Sequence, residues 1–394
     1  MKILVTLTYY HPHWTGLTVI ARHLAEGLAA RGHAVTVLAS QHDPSLPRRE
    51  EINGVQVVRA PSLGRISRTA FMPTFPVLLA RLTAGTEIVH LHTPMPEAAL
   101  VVAQARLLGK PTLVTHQGDV VMPAGPVNRL IQRAMDTSLG LAMRRSSAVV
   151  VHAADYARHS PFLAPFAHRI EGIYPPVLLP PPRPAAVEEW RRRLGLAGKR
   201  LIGFAGRFVE EKGFDFLLEA MPLVHRRLPD AHFVFAGDTD IAYERFFQRC
   251  RDLVEAQGGA LTRVGLLRDR QHMADFYAMC DVFVLPSRSD SFAAVQVEAL
   301  LSGTPLVSTD IPGAREVVRA TGAGRLVPPG DPAALAEGII EVLANPATYR
   351  PSRQAVQAVF DPEHSVGEYE DLMVRLSRDR LGRGLLRRAA TERR

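Results

Sequence analysis

The sequence predicts an α/β protein built from two doubly wound, parallel-sheet domains. Three observations predict it. Short β-branched strands alternate with amphipathic helical stretches along most of the chain. The alternation breaks once, at YPPVLLPPPRP, where six prolines fall between Pro175 and Pro184, and then restarts. The length, 394 residues, also exceeds what one hydrophobic core comfortably organises.

Taken in order, the expected strands before the proline run are KILVTLT, HAVTVLAS, VQVVRAP, EIVHLHT, PTLVTH and AVVVHA. Between the first two, LTVIARHLAEGLAARG spaces its apolar residues at three and four, and Gly32 stands where glycine ends a helix. After the prolines come RLIGFAG, HFVFAGD, TRVGLL, DVFVLPS, PLVST and GRLVPPG. The expected domains are 1–174 and 185–360, with a stiff linker at 175–184, a helix over 361–380 and a basic tail over 381–394. Ligands of an open parallel sheet bind beyond the carboxyl ends of its strands. Two such domains facing each other would line a cleft with both sets of strand ends.

Composition narrows the function classes. Hydrophobic residues at 47% and charged residues at 22% are ordinary for a globular chain, and no apolar run has bilayer-spanning length. The start, MKILVTLTYY, reads as a first strand rather than a secretory signal. Two cysteines, Cys250 and Cys280, build no disulfide framework and fit a reducing, cytoplasmic setting. Most of the net charge of +8 sits between Arg375 and Arg394, where eight arginines face only Asp379 and Glu392. No aromatic residue is interleaved there to stack on bases, so nucleic acid is not expected. Leu376, Leu381, Leu385 and Leu386 suit an anionic membrane surface, and a solvated tail is the other reading.

Three loops carry chemistry. After RLIGFAG comes GRFVEEKG, with Gly206, Arg207, Lys212 and Gly213 ahead of a helix. Glycines admit a ligand to the backbone, and two cations near a helix start suit a diphosphate; a loop of two solvated cations is the other reading. After DVFVLPS comes RSDSFAAVQVEAL, with a helix expected from about Phe292. Asp290 precedes that helix, either as its cap or as a ligand contact. Glu298 lies two turns inside, among Val295, Val297, Ala299 and Leu300, where a carboxylate needs a partner that ligand hydroxyls could supply. In the third loop, DIPGARE, Gly313 again permits close approach, while Glu316 suits a helix start by its charge alone.

GRFVEEKG, LPSRSDSFAAVQVEALLSGTPLV and IPGAREVV, in this order and spacing, resemble the nucleotide-sugar domain of retaining, GT-B-fold glycosyltransferases of family 4. The first half is similar more weakly, through the loop ending at Gly16 and LAEGLAARGHAVTVL. The resemblance implies a hexosyltransferase with a nucleotide diphosphate sugar as donor and a sugar or lipid-linked sugar as acceptor. It implies that Arg207 and Lys212 bind the diphosphate, Asp290 orients the transferred sugar, Glu298 holds the ribose, and amides at Phe292, Ala293 and Ala294 meet phosphate or sugar oxygens. Gly16 would admit the donor from the other domain, the last helix would cross back to the first domain, and no metal or other cofactor is expected. Two positions depart from the pattern: Asp290 stands where glutamate is usual, and Ala293 where glycine is usual.

The first domain also carries histidines at expected strand ends: His11, His13, His90, His92, His116 and His152. No HxxxH or CxxC spacing joins them into a metal site, so polar lining or capping is expected. In LVTHQGD, matching Gly118-Asp119 to the family's His-Gly or His-Ser pair puts Gln117, not His116, where the family has histidine. Neighbouring strand residues face opposite ways, so only one of the two can meet the donor. Gln117 can hydrogen-bond a sugar hydroxyl but cannot act as a base. In the mechanism the family implies, the leaving diphosphate takes the acceptor's proton. A nucleotide-sugar epimerase or hydrolase on the same architecture, or a non-catalytic membrane-peripheral binding protein, are the alternatives. A dinucleotide oxidoreductase is disfavoured, since HPHWTG stands where GxGxxG would.

Overall fold

The computed structural model describes residues 1–66, 69–120, 125–241 and 244–391, the side chains of 65, 66 and 380–391 excepted. The chain forms two units, Met1–Pro176 with Pro362–Arg394, and Val177–Asp361.

The first unit contains strands β1 (Lys2–Thr6), β2 (Ala34–Gln41), β3 (Arg49–Ile52), β4 (Val55–Pro61), β5 (Arg65–Ile66), β6 (Thr69–Ala70), β7 (Ile88–Thr93), β8 (Thr112–His116), β9 (Ala148–Val151) and β10 (Ile170–Gly172). Eight of them form one sheet in the order β10-β9-β8-β7-β1-β2-β4-β3. Every pairing in it is parallel except β3 with β4. Every residue of β7, β8 and β9 is buried, as a parallel sheet covered on both faces requires. The core gathers Ile3, Val5, Val37, Leu24 and Leu28 with Tyr369, Leu372 and Met373 of the helix Pro362–Thr391. The returning helix thus belongs to the first unit, and it runs on through residues read from sequence as a tail. Its arginine-rich side chains from residue 380, and residues 392–394, lie outside the described residues.

The second unit contains β11 (Arg200–Ala205), β12 (Ala231–Ala236), β13 (Leu261–Gly265), β14 (Val282–Leu285), β15 (Leu306–Thr309) and β16 (Gly324–Val327). They form a wholly parallel sheet in the order β13-β12-β11-β14-β15-β16. Phe204, Phe208, Phe214 and Phe235 pack together over it, the Phe208 and Phe214 rings 4.1 Å apart. Rather than a bare spacer, Val177–Arg183 lies in this unit. Val177 and Leu179 are buried, Arg270 and Arg353 donate to the Leu178 and Leu179 carbonyls, and Gln271 donates to the carbonyl of Pro181. Pro184 opens the next helix, where a missing N–H costs nothing.

Both sheets reverse direction once. The chain leaves β11 toward β12 and β13, then returns to the other side of β11 with β14. In the first unit the reversal lies between β1 and β7. The loops beyond the carboxyl ends of strands at such a reversal are where a doubly wound sheet receives ligands. Among the described residues no helix is long and apolar enough to cross a membrane.

Candidate active site

The loops after β11 and β14 are GRFVEEKG and PSRSDSFA. Phe208 and Val209 pin the first loop by burying their side chains, and the Phe208 N–H donates to the Asp238 carbonyl at 2.9 Å. Arg207 stays nearly half exposed and approaches Glu211 at 3.4 Å. Lys212 turns the other way and donates to Asp290 Oδ2 at 2.7 Å, which ties the two loops together. Ser287, fully buried, donates to the same oxygen at 3.1 Å. Gly213 makes the approach feasible: its φ is 65°, and a Cβ there would lie 1.9 Å from the Pro286 carbonyl oxygen. The close approach at Gly313 is also internal, since a Cβ would lie 2.2 Å from the Asp290 carbonyl oxygen. Asp290 is therefore held by a cation, a hydroxyl and a glycine, and it caps no helix.

The helix expected from about Phe292 begins at Ala294 and runs to Leu301. Phe292 instead packs edge-on toward Phe360, and Ala293 caps the helix with no side-chain hydrogen bond to its first amides. Glu298 is buried, but its partners come from the protein. Arg270 Nη1 lies 2.7 Å from one oxygen and the Tyr277 hydroxyl donates to the other at 2.8 Å. The carboxylate thus has the partner its apolar surroundings call for, supplied here by protein groups. Burial beside the Glu298 charge pushes the Tyr277 hydroxyl well above its ordinary pKa, so it stays a donor. Arg288 is a further organiser. It grips Asp215 with two bonds of 2.8 and 2.6 Å, donates to the Glu210 carbonyl and lies 3.9 Å over the Phe216 ring. Nothing in local spacing links Arg270 to Glu298 or Arg288 to Asp215, so sequence reading missed both. Asp310 meets Arg315 and Arg319, and Glu316 lies in the first turn of the helix Arg315–Thr321.

In the first unit, Gly16 is not a loop residue but the first residue of the helix Gly16–Ala30, behind a capping box of Thr15 and Thr18. A Cβ at Gly16 would meet nothing within 4 Å. His116, the last residue of β8, is fully buried. Its Nε2 lies 3.0 Å from Asp119 Oδ1, and its Nδ1 lies 2.9 Å from the Thr93 hydroxyl. Asp119 also accepts from Ser160 at 2.7 Å. Burial alone would raise this carboxyl, but the bonds from His116, Ser160 and Tyr156 hold it below its ordinary pKa. Gln117 faces the other way, with its Nε2 2.9 Å from His92 Nδ1. The chain then turns at Gly118, with φ 144°.

Of the histidines expected at strand ends, His92 stands next to the last residue of β7 and His90 two residues before it. They lie inside β7, buried, with ring centroids 4.3 Å apart. Burial pushes His90 down to about 3, His152 to about 4 and His92 well below the ordinary range, so all three are neutral. Among the described residues, no three His, Cys, Asp or Glu side chains come together as a metal site.

Residues 15–176 match the family model "Glycosyl transferase 4-like domain", and residues 199–345 match "Glycosyl transferases group 1". A GDP-mannose-dependent alpha-mannosyltransferase of Mycobacterium tuberculosis is 27% identical over 349 residues, 84% of this chain and 85% of that protein. A phosphatidyl-myo-inositol mannosyltransferase of Mycobacterium leprae is 28% identical over 82% of each chain. Among solved structures, sucrose-phosphate synthase from Thermosynechococcus elongatus superposes with a TM-score of 0.75 at 22% identity, over 95% of this chain and 98% of that one. Anabaena HepE, in complex with UDP and glucose, does so with 0.76 at 17% identity, over 95% and 99%. Two family models spanning most of both units, on an architecture shared with GT-B enzymes, place this chain in the group 1, family 4 glycosyltransferases.

Proposed function

We propose that this protein is a retaining hexosyltransferase that takes a nucleotide diphosphate sugar, needs no divalent metal, and delivers the hexose to a hydroxyl of a sugar or lipid-linked acceptor. The observation that carries the reading is the 2.7 Å bond between Lys212 and Asp290 at the β11/β14 reversal, beside the exposed Arg207. Arg207 and Lys212 would bind the diphosphate and stabilise the charge that grows as the sugar–phosphate bond breaks. Asp290 would orient hydroxyls of the transferred sugar, and Glu298 would hold the ribose hydroxyls. The amides of Phe292, Ala293 and Ala294, at a helix start, would meet phosphate or sugar oxygens. From the first unit, Gly16 would admit the donor without a side chain in the way, and Gln117 would hydrogen-bond a sugar hydroxyl.

The acceptor oxygen forms the new bond to the anomeric carbon on the face the phosphate leaves, and its proton passes to the departing phosphate oxygen. A protein base is then unnecessary, in keeping with His116, whose two ring nitrogens are already engaged. The names of the mannosyltransferases and of the complex with UDP and glucose support mannose or glucose as the hexose. Cys250 and Cys280, both buried free thiols, suit a reducing cytoplasm, and we assign the arginine-rich C-terminal end to an anionic membrane surface.

The test is a panel of UDP-, GDP- and ADP-linked mannose and glucose, scored by nucleotide release with and without acceptor. One donor should release nucleotide in an acceptor-dependent way. Release that ignores the acceptor would make the protein a hydrolase, and no release from any donor would end the reading.

A further inference from the structure

A buried polar chain runs behind Gln117. The Thr115 hydroxyl donates to the Tyr369 oxygen at 3.2 Å and accepts from His90 Nε2 at 2.7 Å. The His90 ring packs on the His92 ring, and His92 Nδ1 faces the Gln117 amide nitrogen at 2.9 Å. An amide nitrogen only donates, so His92 Nδ1 carries the lone pair and Nε2 the hydrogen. Burial favours the uncharged ring and keeps that lone pair available. The arrangement has a cost: His92 Nε2 is buried with no hydrogen-bond partner. Leucine or phenylalanine would fill the same space without that orphan. What only the imidazole supplies is an acceptor aimed at Gln117.

We propose that His92 is a positioning residue, which holds the Gln117 side chain in the orientation that meets the donor sugar. The proposal rests on the reading of Gln117 as a donor contact. With Nε2 turned to His92, the carbonyl oxygen Oε1 occupies the opposite branch of the amide, and in the proposed role a sugar hydroxyl would donate to it. His90, Thr115 and Tyr369 extend the same chain to the helix Pro362–Thr391, so the orientation of one half-buried amide is set by groups that are themselves fully packed.

The test is a double-mutant cycle on the full-length enzyme with its active nucleotide sugar, using Gln117→Ala, His92→Leu and the pair. His92→Asn supplies an oxygen acceptor close to the place of Nδ1, and His92→Phe keeps the ring packing if the leucine variant does not fold. Each single substitution should lower kcat/KM about tenfold, the size expected for one lost hydrogen bond. The double variant should be no worse than the weaker single, and His92→Asn should recover most of the rate. Affinity for the free nucleotide diphosphate, which lacks the sugar, should not change in any of them. Additive losses, or a normal rate in His92→Leu and His92→Phe beside an impaired Gln117→Ala, would overturn the proposal and leave the Gln117 contact standing. A normal rate in Gln117→Ala would instead remove the contact itself, and the proposal with it.

Discussion

The two units keep their strand-end polar groups in opposite electrical states. Beyond β11 and β14 the side chains are charged and paired: Lys212 with Asp290, Arg270 with Glu298, Arg288 with Asp215. Around β7, β8 and β9 they are mostly imidazoles, and burial keeps His90, His92 and His152 neutral, while the Asp119 carboxyl is held by hydrogen bonds from Ser160 and His116. The difference suits the roles proposed for the two surfaces. A diphosphate is met by fixed cations, and an ionised carboxylate near the protein interior survives only beside a cation or donors. Sugar hydroxyls are met by neutral donors and acceptors, which can be buried without a counter-ion as long as most of their hydrogen bonds are made.

The strongest way to break this contrast is to remove charge from the second unit. Lys212→Ala should lower kcat/KM by about a hundredfold or more, the loss typical of a removed transition-state charge contact. Steady-state kinetics measure it, and a loss under about threefold would show that Lys212 serves only to hold Asp290. Arg270→Gln leaves Glu298 with the Tyr277 hydroxyl alone. Donor KM should then rise about tenfold while kcat holds, because the interaction is with the bound ground state. An unchanged donor KM in both Arg270→Gln and Glu298→Gln would take Glu298 out of donor binding.

At His116 the first unit should respond in stability rather than rate. His116→Ala removes a buried ring with two hydrogen bonds, at a cost of about 1–3 kcal/mol in urea unfolding, with kcat changed less than about threefold. A large loss of kcat with intact stability would return His116 to the role of base. The last effect is graded with pH. His90, His92 and His152 are depressed in the folded state, so the unfolded chain binds more protons below its ordinary histidine pKa. Their contribution is complete above about pH 6.5. It is lost progressively as the pH falls below that value, because burial then opposes the protons that the unfolded chain takes up. His92→Leu should flatten that slope, and an unchanged slope would mean that His92 is charged in the fold.

Much of this was legible in the sequence. Strand–helix alternation and the proline run were enough for two parallel sheets, because strands buried on both faces read as mostly apolar, β-branched runs. GRFVEEKG and RSDSFAAVQVE marked the loops at the reversal in the second sheet, since glycines and opposite charges at strand ends are local signals. The short β3 and β10 escaped, as edge strands of three or four residues carry little pattern. The helix expected from about Phe292 starts two residues later, at Ala294, because caps are settled by side-chain geometry rather than composition.

The sequence by itself determined the fold class, the family and the two charged loops after β11 and β14, all of which depend on residues near one another along the chain. Only the tertiary structure decided the partners: Lys212 with Asp290 across 78 positions, Arg288 with Asp215 across 73, Arg270 with Glu298 across 28, and Gln117 with His92 across 25. A charge or an imidazole takes its state from the groups packed around it. Those groups are brought together by the order of strands in a sheet, which no local stretch of sequence encodes.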